Sequence, residues 1–286
     1  MKVTAISGKG HEETLLTYDT FTFSGGEEHI RFGTEPADDI ETIKITVKLT
    51  DSSSILKLIL AVDALRRKYG PKVSIELISP YFPYARQDRV CVEGEALGAH
   101  VMANLINTLG FDQVTIWDAH SDVSPALLNN VTNIPQGVII ERHAELAQRL
   151  RDKKLTLVSP DAGATKKTQN VAKFFGGGIE VMQADKVRDL KTGEITHTSI
   201  HGDVANKDVL IVDDICDGGR TFIELAKVLK EKQCGRISLY VTHGIFSKGI
   251  EVFNGVIDNI YTTDSINEFH ATNKTENQVN LNIVNI

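Results

Sequence analysis

The 286 residues predict an α/β fold of two similar domains, each a mainly parallel sheet flanked by helices. Three observations predict it. Short Val- and Ile-rich runs alternate with helical patterns. Many of those runs end in polar, reactive residues. The stretch "VTNIPQG" (131–137), where Pro135 and Gly137 break the pattern, reads as a linker between near-equal halves. The expected domains are therefore 1–137 and 138–286.

The strand candidates in order are "IKITVKL" (43–49), "KVSIELIS" (72–79), "QVTIWD" (113–118), "LTLVSP" (155–160), "DVLIVDD" (208–214), "RISLYVTH" (236–243) and "NIYTTDS" (259–265). Between them, Ile55, Leu58, Ile59, Val62 and Leu65 recur at helical spacing, with Ser52 to Ser54 as candidate caps. "ALGAHVMANLINTLG" (96–110) and "RTFIELAKVLKEKQCG" (220–235) are helical patterns that stop at glycine. Polar strand ends fall at Tyr84 to Asp88, Asp118 to His120, Asp161, Asp213 to Asp217 and Thr242 to Gly244. Open α/β sheets bind ligands beyond the carboxyl ends of their strands, so one site built from several loops is expected.

A net charge of −7 argues against a general nucleic-acid binder but leaves room for a local basic pocket. Hydrophobic residues make up 41% and charged residues 24%, ordinary for a globular protein. Cys91, Cys216 and Cys234 have neither metal-ligand spacing nor a disulfide framework. No signal-peptide run or membrane span is visible, and the sequence is read as cytoplasmic.

The most informative stretch is "VLIVDDICDGGRTFIELAK" (209–227). A strand delivers Asp213 and Asp214, and Asp217, Gly218, Gly219, Arg220 and Thr221 turn into a helix. Backbone N–H groups at a glycine turn and helix start hold anions, whereas carboxylates accept hydrogen bonds from sugar hydroxyls. A sugar phosphate satisfies both. The stretch resembles the phosphoribosyl pyrophosphate (PRPP) motif shared by type I phosphoribosyltransferases and PRPP synthetases. "SPYFPYARQDRV" (79–90) resembles a signature of the ribose-phosphate pyrophosphokinase family. "TIWDAHSD" (115–122), "VSPDAGATKK" (158–167), "ADKVRD" (184–189), "GDVANKDVLIVDDICDGGRT" (202–221) and "THGIFSKG" (242–249) extend that resemblance along nearly the whole chain.

The resemblance implies two type I phosphoribosyltransferase-like domains and an enzyme that moves the β,γ-diphosphate of ATP to the C1 hydroxyl of ribose 5-phosphate. Arg86 and Gln87 match family residues that hold ATP. His120 and Asp161 match magnesium-associated positions, so Mg²⁺ is the implied cofactor. Lys186 and Arg188, with His120, match the catalytic groups; the two cations belong to the family's flexible loop. Asp213, Asp214, Asp217, Gly218, Gly219, Arg220 and Thr221 match the ribose-phosphate segment. "FTFSGGEEH" (21–29) aligns Phe23 and Glu27 with a segment that reaches a neighbouring subunit's ATP, which implies a homo-oligomer with a shared ATP site. Phe23 reads equally well as a strand core residue.

The chain departs from the family pattern where D-T-G-G-T or D-T-A-G-T becomes "DGGRT". Gly218 replaces a threonine and Arg220 a glycine. Such a loop loses a hydroxyl and gains a guanidinium, which opens an alternative acceptor with a bulkier 5-substituent, ADP-ribose. Gly25 stands where Asp or Asn is usual, and Cys91 where an acid is common. Two further readings are a PRPP-consuming phosphoribosyltransferase and a non-catalytic partner of PRPP synthetases. Neither nucleic acid nor membrane is an expected partner.

Overall fold

The computed structural model describes residues 1–8, 13–34, 39–188, 195–268 and 278–286, with the side chains of 186–188 and 195–198 outside the description. The chain falls into two compact units, Met1–Ile134 and Pro135–Ile286.

The first unit runs β1 (Lys2–Ser7), β2 (Glu13–Leu15), β3 (Tyr18–Thr22), β4 (Glu28–Phe32), β5 (Ile40–Thr46), α1 (Ser52–Tyr69), β6 (Ser74–Ile78), α2 (Gly98–Thr108), β7 (Gln113–Trp117), α3 (Val123–Leu127) and β8 (Val131–Ile134). Its sheet has the order β2-β1-β5-β6-β7-β8, and β5 to β8 are parallel. β1 joins antiparallel, and β3 and β4 form a separate hairpin. Ile43, Ile45, Ile75, Leu77 and Ile116 form the middle of the core. Against them α1 lays Leu58, Val62 and Leu65, as its spacing predicts, with Ala61 added to the buried face and Ile55 and Ile59 only half-buried. The helix cap differs from expectation. Asp51 is the N-cap, and Ser54 closes a capping box with it rather than acting as the cap.

The second unit runs α4 (Gln136–Ile140), α5 (Ala144–Arg151), β9 (Thr156–Ser159), α6 (Ala162–Phe174), β10 (Val181–Arg188), β11 (Ile195–Ile200), β12 (Val209–Cys216), α7 (Arg220–Glu231), β13 (Ile237–Gly244), β14 (Asn259–Thr263) and β15 (Asn280–Val284). The sheet order is β11-β10-β9-β12-β13-β14-β15, parallel except where β11 meets β10. β13 is buried at every position, as a central parallel strand covered on both faces must be.

The expected linker at 131–137 is structured instead. Val131–Ile134 pairs with β7 as an edge strand, and Pro135, which lacks a donor, stands just before α4. Among the described residues no helix is long and apolar enough to cross a membrane.

Candidate functional site

In the first unit, two loops after parallel strands meet. Asp88, whose side chain is 6% exposed, sits between Ser121, Arg89 and His120. Burial alone would raise its carboxyl, but the bonds from Ser121 and Arg89 and the nearby His120 outweigh that and hold it below the usual range. The two turns bend sharply: Tyr84 has φ 60° and Asp118 φ 40°, left-handed values unusual for such residues. The first turn is closed by Gln87 N donating to the Tyr84 carbonyl (2.9 Å), and the second is held by Asp118 N donating to the Ile134 carbonyl (2.8 Å) and Ala119 N to Asn133 Oδ1 (3.1 Å). Arg86 and Gln87 are exposed beside them, and the Gln87 side chain lies where a side chain at Gly98 would stand.

Phe23 is not a core residue. It is 49% exposed, as is Phe21, and the two rings meet edge-on at 4.7 Å, with His29 at 4.6 Å from Phe21. Glu27 is exposed in the hairpin turn. The next residue, Glu28, accepts from Thr22 and from Ser53 of α1 (2.6 Å) and pairs with Lys57 (3.5 Å). The sequence reading missed Glu28, although it stands one position from a quoted residue.

In the second unit the acid pair is placed as the motif predicts. Asp213 and Asp214 lie in the last half of β12, which runs on to Cys216, with Asp214 N bonded to Asp213 Oδ1 at 2.9 Å. The Asp213 carboxyl is pushed well above the usual range by lost hydration, by the Asp214 carboxylate and by Asp161. Gln136 Nε2 steadies the Asp213 carbonyl at 2.8 Å, and Lys167 Nζ lies 3.4 Å from Asp214. Lys167, which reads equally well from sequence as a phosphate cation or surface charge, is a partner of this pair. Asp161 caps α6, its Oδ1 accepting from Ala164 N at 3.1 Å.

The turn that follows is tight. Gly219, at φ 80°, is the N-cap of α7, and a Cβ there would stand 2.4 Å from the Phe253 ring. Gly218 is different: a Cβ would meet only Lys248 methylenes at ordinary contact. Arg220 is exposed at the first turn of α7, and Thr221 follows it. Cys216 beneath the turn is buried, and burial with the Asp213 and Asp217 carboxylates keeps its thiol protonated. Thr242 and His243 are structural: both are buried, and His243 Nδ1 contacts Ser265 Oγ at 2.8 Å.

One expected group falls elsewhere than expected, and the magnesium-associated pair lies in separate units, as the expected domain bounds also have it. The backbone of Lys186 and Arg188 lies in β10, paired with β11, rather than in a loop; their side chains are outside the described residues. His120 belongs to the first unit and Asp161 to the second. Among the described residues no group of three or more His, Cys, Asp or Glu could hold a metal on its own. The mutual repulsion of Asp161, Asp213 and Asp214 does fit a divalent cation that takes one or two carboxylates and draws its other oxygens from water and phosphate. An imidazole is a poorer match for Mg²⁺ and fits through a bound water.

Two parallel α/β units, one carrying an acid pair, a glycine turn and a helix start at its strand ends, define a protein of the phosphoribosyl-binding class. Residues 10–110 match the family described as the N-terminal domain of ribose phosphate pyrophosphokinase, and residues 129–281 the phosphoribosyl transferase domain. The chain is 31% identical over 226 residues to a ribose-phosphate pyrophosphokinase of Mycoplasmopsis pulmonis, covering 78% of this chain and 68% of that one. A ribose-phosphate pyrophosphokinase of Campylobacter jejuni is 33% identical over 247 residues, covering 85% and 77%. The phosphoribosylpyrophosphate synthetase structure from Mycobacterium smegmatis superposes with a TM-score of 0.77 at 21% identity over 95% of this chain and 87% of that one, a shared fold. The chain belongs to the ribose-phosphate pyrophosphokinase family of enzymes.

Proposed function

We propose that the protein transfers the β,γ-diphosphate of ATP to the C1 hydroxyl of ribose 5-phosphate. The C1 oxygen attacks the β-phosphorus and loses its proton, the bond from that phosphorus to the α,β-bridging oxygen breaks, and AMP leaves. The observation that carries this reading is the adjacent Asp213–Asp214 pair in β12, followed after a short turn by the Gly219-capped helix. The carboxylates accept the 2- and 3-hydroxyls, and the turn from Asp217 to Thr221 receives the 5-phosphate.

Phe23, Glu27, Arg86 and Gln87 are assigned to ATP. Lys186 and Arg188 stabilise the transferring diphosphate, with His120 beside them in role. Asp161 in the second unit would hold Mg²⁺, and His120 in the first would hold it through water; such an ion would supply charge neutralisation for the phosphates. Exposed Phe21 and Phe23 favour a homo-oligomer in which the hairpin completes a neighbour's ATP site.

A second acceptor is favoured by one observation. Gly218 presents no side chain, and the exposed Arg220 has no ion pair among the described residues, so the loop admits a larger anionic 5-substituent such as that of ADP-ribose. AMP release from ATP, with each acceptor and with none, tests both readings. Release that needs neither acceptor, or none with either, refutes diphosphate transfer to a ribosyl group. Turnover undiminished by excess chelator refutes the Mg²⁺ assignment.

A further inference from the structure

The segment after β13 is stitched to the glycine turn. Ile245 and Phe246 donate their N–H groups to the Cys216 carbonyl at 2.8 and 3.1 Å. Ser247 N donates to the Asp217 carbonyl at 3.2 Å, and Ser247 Oγ to the Asp217 carboxylate at 2.7 Å. Phe246, held at φ 45°, packs edge-on against Phe253 at 6.0 Å, and Phe253 fills the space beside Gly219. Segment and turn are therefore joined by backbone, side-chain and ring contacts.

Lys248 follows directly. Its Cγ, Cδ and Cε run 3.6 to 3.7 Å from the position a Gly218 Cβ would take, so the stem lies along the bare edge of the loop. The ammonium is one bond beyond Cε. The residue is exposed and has no ion pair among the described residues. A flexible lysine with a packed stem and a free head is a point cation aimed by its stem. A side chain at position 218 would share that edge; glycine leaves it to the lysine.

We infer that Lys248 is a phosphate-binding residue of the acceptor site, contacting the phosphate on O5 of the ribosyl group. This rests on the proposed reading of the glycine turn. Loop amides, the start of α7 and the two cations Arg220 and Lys248 then surround one anionic group, while the Asp217 carboxylate accepts from Ser247. The role is one of binding and specificity: the contact lies at the end of the sugar remote from C1, so it acts on affinity for the acceptor rather than on bond breaking.

The test uses the full-length protein with Lys248→Met and Lys248→Arg, read by calorimetric binding of ribose 5-phosphate and ADP-ribose and by AMP release. An exposed lysine should be replaceable without loss of fold, which circular dichroism checks. Lys248→Met is expected to weaken acceptor binding by roughly tenfold to a hundredfold. It should raise acceptor KM in step, leave the KM for ATP within about twofold, and be largely rescued by Lys248→Arg. Binding that Lys248→Met leaves within about twofold overturns the inference while the reaction stands. Lys248-dependent binding without AMP release upholds the inference and overturns the reaction. A wild-type protein that binds neither acceptor overturns both.

Discussion

His143 gives the second unit a built-in sensitivity to acid. It is 7% exposed, edge-on to the Tyr240 and Tyr261 rings at 5.9 and 5.5 Å, and its Nε2 has no hydrogen-bond partner among the described residues. Burial pushes its pKa from 6.5 down to about 4, against the opposing pull of its bond to the Thr262 backbone. The folded protein therefore keeps the ring neutral where the unfolded chain would protonate it. Stability is full above pH 6.5, falls as pH drops toward about 4, and levels off below that. The shift corresponds to roughly 3 kcal/mol in full, and to about 2 kcal/mol between neutral pH and about pH 5. Urea denaturation of the wild type and His143→Phe at those two pH values measures it. The variant loses the bond to the Thr262 backbone and starts lower, but its stability should change less with pH by about 2 kcal/mol. Equal pH slopes in the two proteins would refute the reasoning, as would an NMR titration that places His143 near its ordinary value.

Three further outcomes are expected. Gly219→Ala should destabilise by about 2 kcal/mol or more, because the methyl meets the Phe253 ring at a left-handed position, whereas Gly218→Ala should cost under about 1 kcal/mol; thermal melts compare them. Lys186→Ala and Arg188→Ala should each lower kcat by roughly a hundredfold with small changes in KM, and near-normal kcat in both would return them to solvated charges. Asp214→Ala should impair every ribosyl acceptor, while Arg220→Gly should change the ratio of kcat/KM between ribose 5-phosphate and ADP-ribose; an unchanged ratio removes Arg220 as a specificity element.

The α/β alternation was legible because each parallel strand is a run of buried Val, Ile and Leu, as in the "VLIV" that opens β12. The hairpin of β3 and β4 was not read as two strands. Its residues from Tyr18 to Thr22 are mostly exposed and carry no alternation that a buried face would impose. The Asp213–Asp214 pair was legible from local order alone, since strand, acids, turn and helix are consecutive. Asp88 with Ser121, Lys167 with Asp214 and Lys248 with Gly218 were not, because each joins segments brought together only by sheet closure. Asp51 is hard to tell from the three serines that follow it by side-chain chemistry alone; its extended backbone, just ahead of the helix, makes it the cap.

Glu28 has a consequence for recognition by the aromatic hairpin. With one oxygen taken by Thr22 and the other by Ser53, it ties the Phe21–Phe23 pair to the first turn of α1. The rings are thus oriented when the helix forms, before any encounter. Were a ligand or subunit to meet them, as the proposed function has it, a pre-ordered surface would lose little conformational entropy on contact. Substitutions at Ser53, which touches no ring, would then weaken such contacts through entropy rather than through lost area. Calorimetry would see the difference as a less favourable entropy at nearly constant heat capacity change.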